Sequence, residues 1–508
     1  MDNHFKIIIP LYNVEKWIKI CLRSVRAQTY KNFQCIIIDD LSTDSSTQVI
    51  REEIGGDDRF VLIVNKTKKL ALQNIYDGIN YSAPASEDII ITLDGDDWFS
   101  SKDVLEKVNN IYNSSGCWLT YGSYAEYPHN QRGKFAQQIP LEIIENNAFR
   151  YSPWSSSHLR TFKHHLWKRI KKADLIDAEG NFYKMTWDLA FMFPMLEMSG
   201  HKSKYIKDIL YIYNMDNPLN DHKVDNSYQI SLEKEIRNKP PYEKLKTVYC
   251  YLKGGLANMM FQIAATTSIA KDNSMVAAFP NLHQQLDYLN KDEKYNQTLN
   301  HATEYIEMFG KLNTSQPVGN EPIAKFPFHY GELDLPNGDF VIDGFFQSEK
   351  YFKKYKKEIF KIPKTVKDRI DQKYTQYLNM DCLSIHIRRG DYLNYPDHHT
   401  PLSIEYYEEA IKLFPESDFY LVFSDDIDWC KHNFKGDKFI FIENEKDYVE
   451  IYLMSMCNNN IIANSSFSWW GAWLNDSVEK SVVAPKKWFG SKIKENQDDI
   501  IPEGWLKI

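Results

Sequence analysis

The chain has no apolar run of the roughly 18–20 residues that cross a bilayer, so no transmembrane segment is expected. It has no surplus of positive charge. Its 61 Lys and Arg stand against 69 Asp and Glu, a formal net charge of −8. Polyanion binders carry a basic face, so this balance argues against a nucleic-acid partner. Cysteine is scarce. There are seven, an odd number, widely spaced and without a C-x-x-C pair. Buried free thiols in a reducing compartment are therefore expected rather than a disulfide framework. Low-complexity tracts and internal repeats are also missing. The opening MDNHFKIIIP has one short Ile run and then a proline, which reads as a strand rather than a signal peptide. These absences point to a soluble, cytoplasmic, multidomain protein.

Apolar residues are plentiful, at 43% hydrophobic and 14% aromatic, which excludes a disordered chain. At roughly 100–200 residues per domain, 508 residues make two to four domains. The first 100 residues alternate strand and helix. FKIIIPLY, FQCIIIDD, FVLIVN and EDIIITLDGDDW read as strands, and VEKWIKICLRSVRAQ, STDSSTQVIREEI and LALQNIYDGINYS as helices. β-branched runs separated by amphipathic helices predict a parallel sheet covered on both faces. Such sheets bind ligands at the carboxyl ends of their strands. Both acidic clusters, Asp39-Asp40 and Asp94/Asp96/Asp97, fall at such ends. Residues 115–225 are aromatic-rich and their periodicity settles nothing. Pro240-Pro241 in a charged stretch marks a linker, giving domains 1–238 and 247–508 around residues 239–246. Alternation returns from residue 381 with DCLSIHIRR, DFYLVFSDD, DKFIFIEN and NNIIANSS. The expected fold class is α/β in both halves.

Three carboxylates packed as LDGDDW repel one another unless a cation neutralises them. Oxygen-rich sites suit Mg²⁺ or Mn²⁺, which often also hold substrate phosphates. An ordinary acidic turn capping the helix that starts near Ser101 is the other reading. The context is informative. P-L-Y-N, a helix ending Q-T-Y, a strand ending D-D-L-S-T-D and then LDGDDW occur in that order. Over residues 5–100 this resembles glycosyltransferase family 2, and more loosely to about 220. The resemblance implies a GT-A, Rossmann-like domain that binds a nucleotide-sugar, a UDP-sugar in expectation, and Mn²⁺ or Mg²⁺. It implies that Pro10 and Tyr12 line the base pocket, that Asp40 accepts hydrogen bonds from the base, and that Asp39 supports the loop. Asp94 opens the motif near the sugar, Asp96 belongs to the diphosphate and metal site, and Asp97 to the metal. Lys69 and Asn74 stand where the family often contacts the donor. The general base takes the position of Asp188 in MTWDLAFMFPMLEMSG, where Trp187 replaces the usual Glu. A helix N-terminal acid is the plainer account of Asp188. The absence of Q-x-x-R-W argues against a processive polymerase. The basic run HLRTFKHHLWKRIKK reads as a solvated helix face, or else as a contact with an anionic or lipid-linked acceptor that would hold the protein peripherally at a membrane.

In the second half, SIHIRRGDYL runs an apolar strand into two arginines. A guanidinium's fixed fork suits a diphosphate and keeps its charge. Adjacent residues on an extended strand point opposite ways, so one arginine faces a ligand and the other braces the loop. A purely structural Arg–Asp turn explains the spacing equally well. The order GGLANMMFQIAA, DGFFQSEKYF, HIRRGDYL, VFSDDIDWC, NSSFSWWGAWL resembles glycosyltransferase family 11, the α-1,2-fucosyltransferases, over about 249–490. That implies GDP-fucose as donor, a GT-B-like fold and no metal cofactor. Arg388 would bind the diphosphate, with Arg389 and Asp391 completing its loop and Asp391 a weak candidate for the base. His386 and Asp425 would lie on the guanosine side. Gly255 and Asn258 form the glycine loop, and Ser465, Ser466 and Phe467 close over the phosphates. Ala257 and Met259 depart from the usual GGLGNQM. Trp469, Trp470 and Trp473 read as core before sugar platforms. Asn464-Ser465-Ser466 matches a glycan sequon but is expected to be buried and unmodified.

The expected protein is a bifunctional glycosyltransferase. Its first half adds a hexose or N-acetylhexosamine to a glycan or lipid-linked glycan. Its second half caps the product with α-1,2-fucose, galactose being the expected acceptor. The alternative keeps only the fucosyltransferase active and makes the first half a glycan- or nucleotide-binding module. A nucleotidyltransferase would want a glycine-rich phosphate loop with a basic residue near the N-terminus, and PLYNVEK lacks one.

Overall fold

The Ile-rich runs at the start of the chain form strands Phe5–Leu11, Phe33–Asp39, Phe60–Val64 and Ile89–Thr92. They belong to a computed structural model that describes residues 3–218, 225–291, 304–331 and 334–508. The chain divides into two units, Met1–Leu245 and Lys246–Ile508.

In the first unit the four strands lie parallel in the order Phe60–Val64, Phe33–Asp39, Phe5–Leu11, Ile89–Thr92. Helices Ile18–Arg26, Ser46–Ile54 and Leu70–Tyr81 connect them. Both faces of the sheet are apolar because both are covered. Ile7, Ile8, Ile9, Ile36 and Ile37 are fully buried. Register places Leu11 beside Asp39 and Ile8 beside Thr92, so the residues after each strand gather at one edge. Gly95 closes that edge. A Cβ there would stand 2.6 Å from Leu11 Cβ, so only glycine lets the acidic loop lie against the first strand.

The sheet continues with Thr161–Lys163, antiparallel to Ile89–Thr92, then Leu119–Tyr127, Ser203–Asn214 and the short Trp98–Phe99. Here the structure corrects the reading of HLRTFKHHLWKRIKK. The run is not a solvated helix face. Residues from His158 to Trp167 are buried, and its middle is a strand. The charges of this buried part are partnered inside, while Lys168, Lys171 and Lys172 at the end of the run are exposed. Lys163 Nζ donates to Glu87 Oε2 at 2.6 Å, and His165 Nδ1 lies 3.2 Å from the other Glu87 oxygen.

The Pro240-Pro241 stretch is followed by residues that the first unit holds. Tyr242 N–H donates to Glu197 Oε2 at 2.9 Å, and Leu245 N–H to Met198 O at 2.9 Å. The same Glu197 forms a buried bidentate pair with Arg150, whose guanidinium also donates to Ile236 O. A cut between Leu245 and Lys246 is therefore expected to give two soluble pieces. A cut at Pro240-Pro241 strips Tyr242 from Glu197 and should lower the melting temperature of the first piece. Differential scanning fluorimetry on both pairs checks this. Equal melting temperatures for the two first pieces would show that the Tyr242 contacts contribute nothing.

Among its described residues the second unit holds two sheets, both wholly parallel. One has the order Val276–Ala278, Thr247–Cys250, Phe340–Asp343, Ile323–Lys325. The other runs Phe439–Phe441, Phe419–Ser424, Cys382–Ile387, Asn459–Ile461, Val482–Ala484, Leu506–Lys507. This is the GT-B-like arrangement. Of the irregular stretch 280–340, residues 292–303 and 332–333 lie outside the described residues. Trp469, Trp470 and Trp473 are core. They pack on Phe261 and Phe352, and Trp470 Nε1 donates to Ala257 O at 3.0 Å. That bond ties helix Leu256–Asp272 to helix Ser466–Leu474. No described helix is long and apolar enough to cross a membrane.

Candidate active sites

In the first unit, Pro10, Tyr12, Asp39, Asp40, Asp94, Asp96 and Asp97 all stand at the carboxyl edge of the parallel strands. Their engagements differ. Asp39 is fully buried and accepts from Ser42 N–H at 2.8 Å and from the Thr47 hydroxyl, which builds the turn after its strand. Asp40 accepts from Lys69 N–H, Leu70 N–H and the Asn65 amide, at 2.8, 2.8 and 2.9 Å. Burial opposes its ionisation, but these donors and Asn74 hold its carboxyl below the ordinary value. A carboxylate offers about four acceptor positions, so the protein itself takes most of them. Asp40 thereby caps the helix Leu70–Tyr81. The Lys69 ammonium is paired with Asp77 at 2.7 Å, and Asn74 is buried against Asn65. Lys68 Nζ lies 3.0 Å from the centre of the Tyr12 ring, a cation over an aromatic face at the rim of the site.

The acidic loop divides in two. Asp97 is buried, with one oxygen on Asn214 N–H at 2.7 Å and the other on the Tyr211 hydroxyl at 2.6 Å. Asp96 turns to the Asn217 side-chain amide at 2.6 Å. Asp94, Asp97 and His158 offer ligand atoms that all lie within 4.8 Å of one another, and Asp96 is not among them. His158 stacks on Tyr211, with ring centres 4.4 Å apart. Electrostatics fit a cation at this point. Burial, then the charges of Asp96 and Asp94, push the Asp97 carboxyl well above its usual range. Burial pushes Asp96 up to about 6, with Asn217 opposing and Asp94 adding. His158 is pushed down to about 4 by burial and by Arg160, which leaves a neutral imidazole; its Nε2 accepts from Arg160, so a cation there would take that lone pair in the guanidinium's place.

Asp188 opens the helix Trp187–Ser199. Arg160 Nη1 donates to Asp188 Oδ2 at 2.8 Å, and Arg160 Nη2 lies 2.6 Å from His158 Nε2 and 4.0 Å from Asp94 Oδ2. The guanidinium also lies 5.3 Å from the centre of the Trp187 ring, the residue that stands where the family has Glu. Burial raises the Asp188 carboxyl, and Arg160 opposes it. Sequence reasoning misses His158 and Arg160 because they sit in a run that reads as surface. Only the antiparallel register of Thr161 with Ile91 shows that the preceding residues reach the acidic loop.

In the second unit, Arg388 and Arg389 leave the carboxyl end of the central strand Cys382–Ile387. Arg388 pairs with Asp391 at 2.8 Å and Asp425 at 3.1 Å. Arg389 braces. It pairs with Asp426 at 3.0 Å and lies 4.2 Å from the centre of the Trp429 ring. Asp425 also accepts Arg389 N–H at 2.9 Å. Its carboxylate thus holds the arginine loop. A Cβ at Gly390 would meet Asp425 Oδ2 at 2.5 Å, so a side chain there would push that carboxylate aside. His386 is buried, its Nδ1 has no hydrogen-bond partner, and burial followed by Arg388 pushes it down to about 3. Its ring lies 5.4 Å from Phe467. Gly255 precedes helix Leu256–Asp272, and Ser465 caps helix Ser466–Leu474 by accepting Phe467 N–H. Two helix N-termini, natural anion sites, are thereby joined through Trp470. Asn258 accepts from Gln347 at 2.9 Å. Asn464, the sequon residue, is buried and donates to Thr400 O and Trp488 O.

Comparison with known proteins agrees with this division. A model of glycosyl transferase family 11 matches residues 219–508, and one of glycosyl transferase family 2 matches residues 6–175. The chain is 28% identical over 307 residues to the O-antigen biosynthesis glycosyltransferase WbnK of Escherichia coli, covering 51% of this chain and 100% of that protein. It is 32% identical over 295 residues to an alpha-1,2-colitosyltransferase of Escherichia coli, covering 52% and 99%. It is 34% identical over 222 residues to the glycosyltransferase GlyA of Streptococcus pneumoniae serotype 4, covering 42% of this chain and 31% of that protein. A match over more than half of the chain decides the family: this glycosyltransferase belongs to glycosyl transferase family 11 and carries a family 2 domain ahead of it.

Proposed function

We propose that the two units carry out two transfers on one glycan. The first moves a hexose or N-acetylhexosamine from a nucleotide-sugar with inversion. The second moves L-fucose from GDP-fucose in α-1,2 linkage, with galactose as acceptor. The observation that carries the second assignment is Arg388, held by two carboxylates at the carboxyl end of a central parallel strand. A diphosphate that displaces those carboxylates meets a charged fork already in place. Charge collects on the departing diphosphate during transfer, and a preorganised donor stabilises it more than it stabilises the bound substrate. The α-1,2 linkage in the name of one relative supports the regiochemistry.

In the first unit, Asp188 takes the proton of the acceptor hydroxyl. Arg160 fixes its carboxylate and opposes the upward push of burial. Asp94, Asp97 and His158 would hold a divalent cation, which when bound would neutralise the donor diphosphate. One nitrogen ligand beside two carboxylates favours Mn²⁺ over Mg²⁺. The first transfer is thus expected to stop in EDTA and return with Mn²⁺, while the second proceeds unchanged. EDTA-sensitive fucosyl transfer by folded protein would sink the contrast.

The decisive experiment is a donor screen on simple galactosides and N-acetylhexosaminides, read by mass spectrometry. It should include GDP-colitose, since colitose is fucose without its 3-hydroxyl. A mass gain of a deoxyhexose at a galactoside 2-hydroxyl is the expected result. Transfer only of the dideoxy sugar would move the donor assignment to colitose.

A further inference from the structure

Arg388 and Asp391 pair with each other, so the carboxylate nearest the diphosphate site serves as a counter-charge and is poorly placed to take a proton. A second group stands beside them. Tyr392, the residue after Asp391, has the Arg388 guanidinium 5.6 Å from its ring centre. The same ring carries the imidazole of His399, stacked at 4.7 Å and 17°. Phe489 flanks His399 at 6.3 Å. The frame around His399 is built from hydrogen bonds. Tyr392 donates its hydroxyl to Asn464 O at 2.9 Å. Thr400 O, next to His399, accepts from the Asn464 amide at 3.0 Å. His399 N–H donates to Tyr395 O, and Gly490 N–H to His398 O. Asn464 immediately precedes Ser465, which caps helix Ser466–Leu474. One ring and one asparagine therefore fix His399 relative to both the guanidinium and the phosphate-side helix. Among the described residues no hydrogen bond engages its ring nitrogens, and the residue is only half-buried.

We propose that His399 is the general base of the second transfer. The proposal rests on the reading of this unit as a GDP-sugar transferase. The acceptor hydroxyl gives its proton to the free imidazole nitrogen as its oxygen bonds to C1 of the sugar. The bond from C1 to the diphosphate oxygen breaks, that oxygen keeps the electron pair, and GDP leaves with the charge held by Arg388. The charged groups facing His399 are Asp391, Arg388 and His398. Burial, the largest influence, with His398 and Arg388 disfavours the imidazolium, while Asp391 favours it. The imidazole is thus neutral near pH 7 and can accept a proton, with Asp391 stabilising the cation that forms.

The test uses the full chain with GDP-fucose and a galactoside. His399→Gln removes the base. His399→Phe removes it but keeps a ring on Tyr392, and His398→Gln is the neighbouring control. Turnover should fall about 10²–10⁴-fold in both His399 variants, with GDP affinity by calorimetry little changed and His398→Gln near wild type. Imidazole in solution should restore part of the turnover of His399→Gly and none of that of Arg388→Lys. Full turnover in His399→Phe with GDP affinity kept overturns the proposal alone and assigns His399 to packing. A folded wild-type chain without GDP affinity overturns the donor reading, and this proposal with it.

Discussion

Arg388→Lys is expected to lower fucosyl transfer by about 10²–10³, or roughly 3–4 kcal/mol, although the charge is kept. Lysine is a point charge on a flexible stem, whereas the departing diphosphate is matched by a planar fork. That fork is aimed by Asp391 and Asp425 on its two nitrogens. Lysine could not satisfy both with the same geometry. Asp425→Asn then becomes informative. Had Asp425 faced guanine, the amide would weaken donor binding and leave turnover alone. The structure commits its oxygens to Arg388 and to Arg389 N–H, so the amide should mis-aim the arginine and reduce turnover. Steady-state kinetics separate the outcomes. A change confined to the Michaelis constant would return Asp425 to the guanosine side.

Asp97→Ala is expected to abolish the first transfer and to leave fucosylation of a supplied acceptor intact. The effect has two sources. The substitution removes a ligand from the Asp94/Asp97/His158 cluster. It also removes the acceptor to which the buried Asn214 N–H and Tyr211 hydroxyl donate, a loss of about 1–3 kcal/mol. Asp97→Asn separates them, because an amide oxygen still accepts one of these bonds while the charge is lost. If Asp97→Asn regains its melting temperature but not its activity at any Mn²⁺ concentration, the carboxylate acts through its charge. Loss of both activities in a folded Asp97→Ala protein would show that the two transfers are not independent.

Much of the fold and of both sites is legible in the amino-acid sequence. The β-branched runs announce the parallel strands, and P-L-Y-N, D-D-L-S-T-D and LDGDDW announce which strand ends matter. What stays hidden is set by non-local pairing. Leu119–Tyr127 and Ser203–Asn214 pair over more than eighty residues, and their tyrosines alternate with both polar and apolar neighbours, so no single period stands out. His158 and Arg160 look like surface charge because their partners, Asp94 and Asp188, lie far away in the chain in both directions. Asp40 and Asp425 show another kind of hidden contact: motif position suggests that they face a base, and only the hydrogen bonds show that they also hold the loops around them. His399 carries no sequence signal beyond lying in D-Y-L-N-Y-P-D-H-H.

The seven thiols, all free and all buried, give each unit its own clock. Cys21, Cys35 and Cys117 belong to the first unit, and Cys250, Cys382, Cys430 and Cys457 to the second. None is open to a maleimide while its unit is closed, so each alkylation event records an opening of the surrounding core. Mass spectrometry of the modified peptides would time those openings separately in a single unlabelled sample. Donor added to one unit should slow only that unit's three or four peptides, so the chain reports which half has bound which nucleotide without any engineered probe.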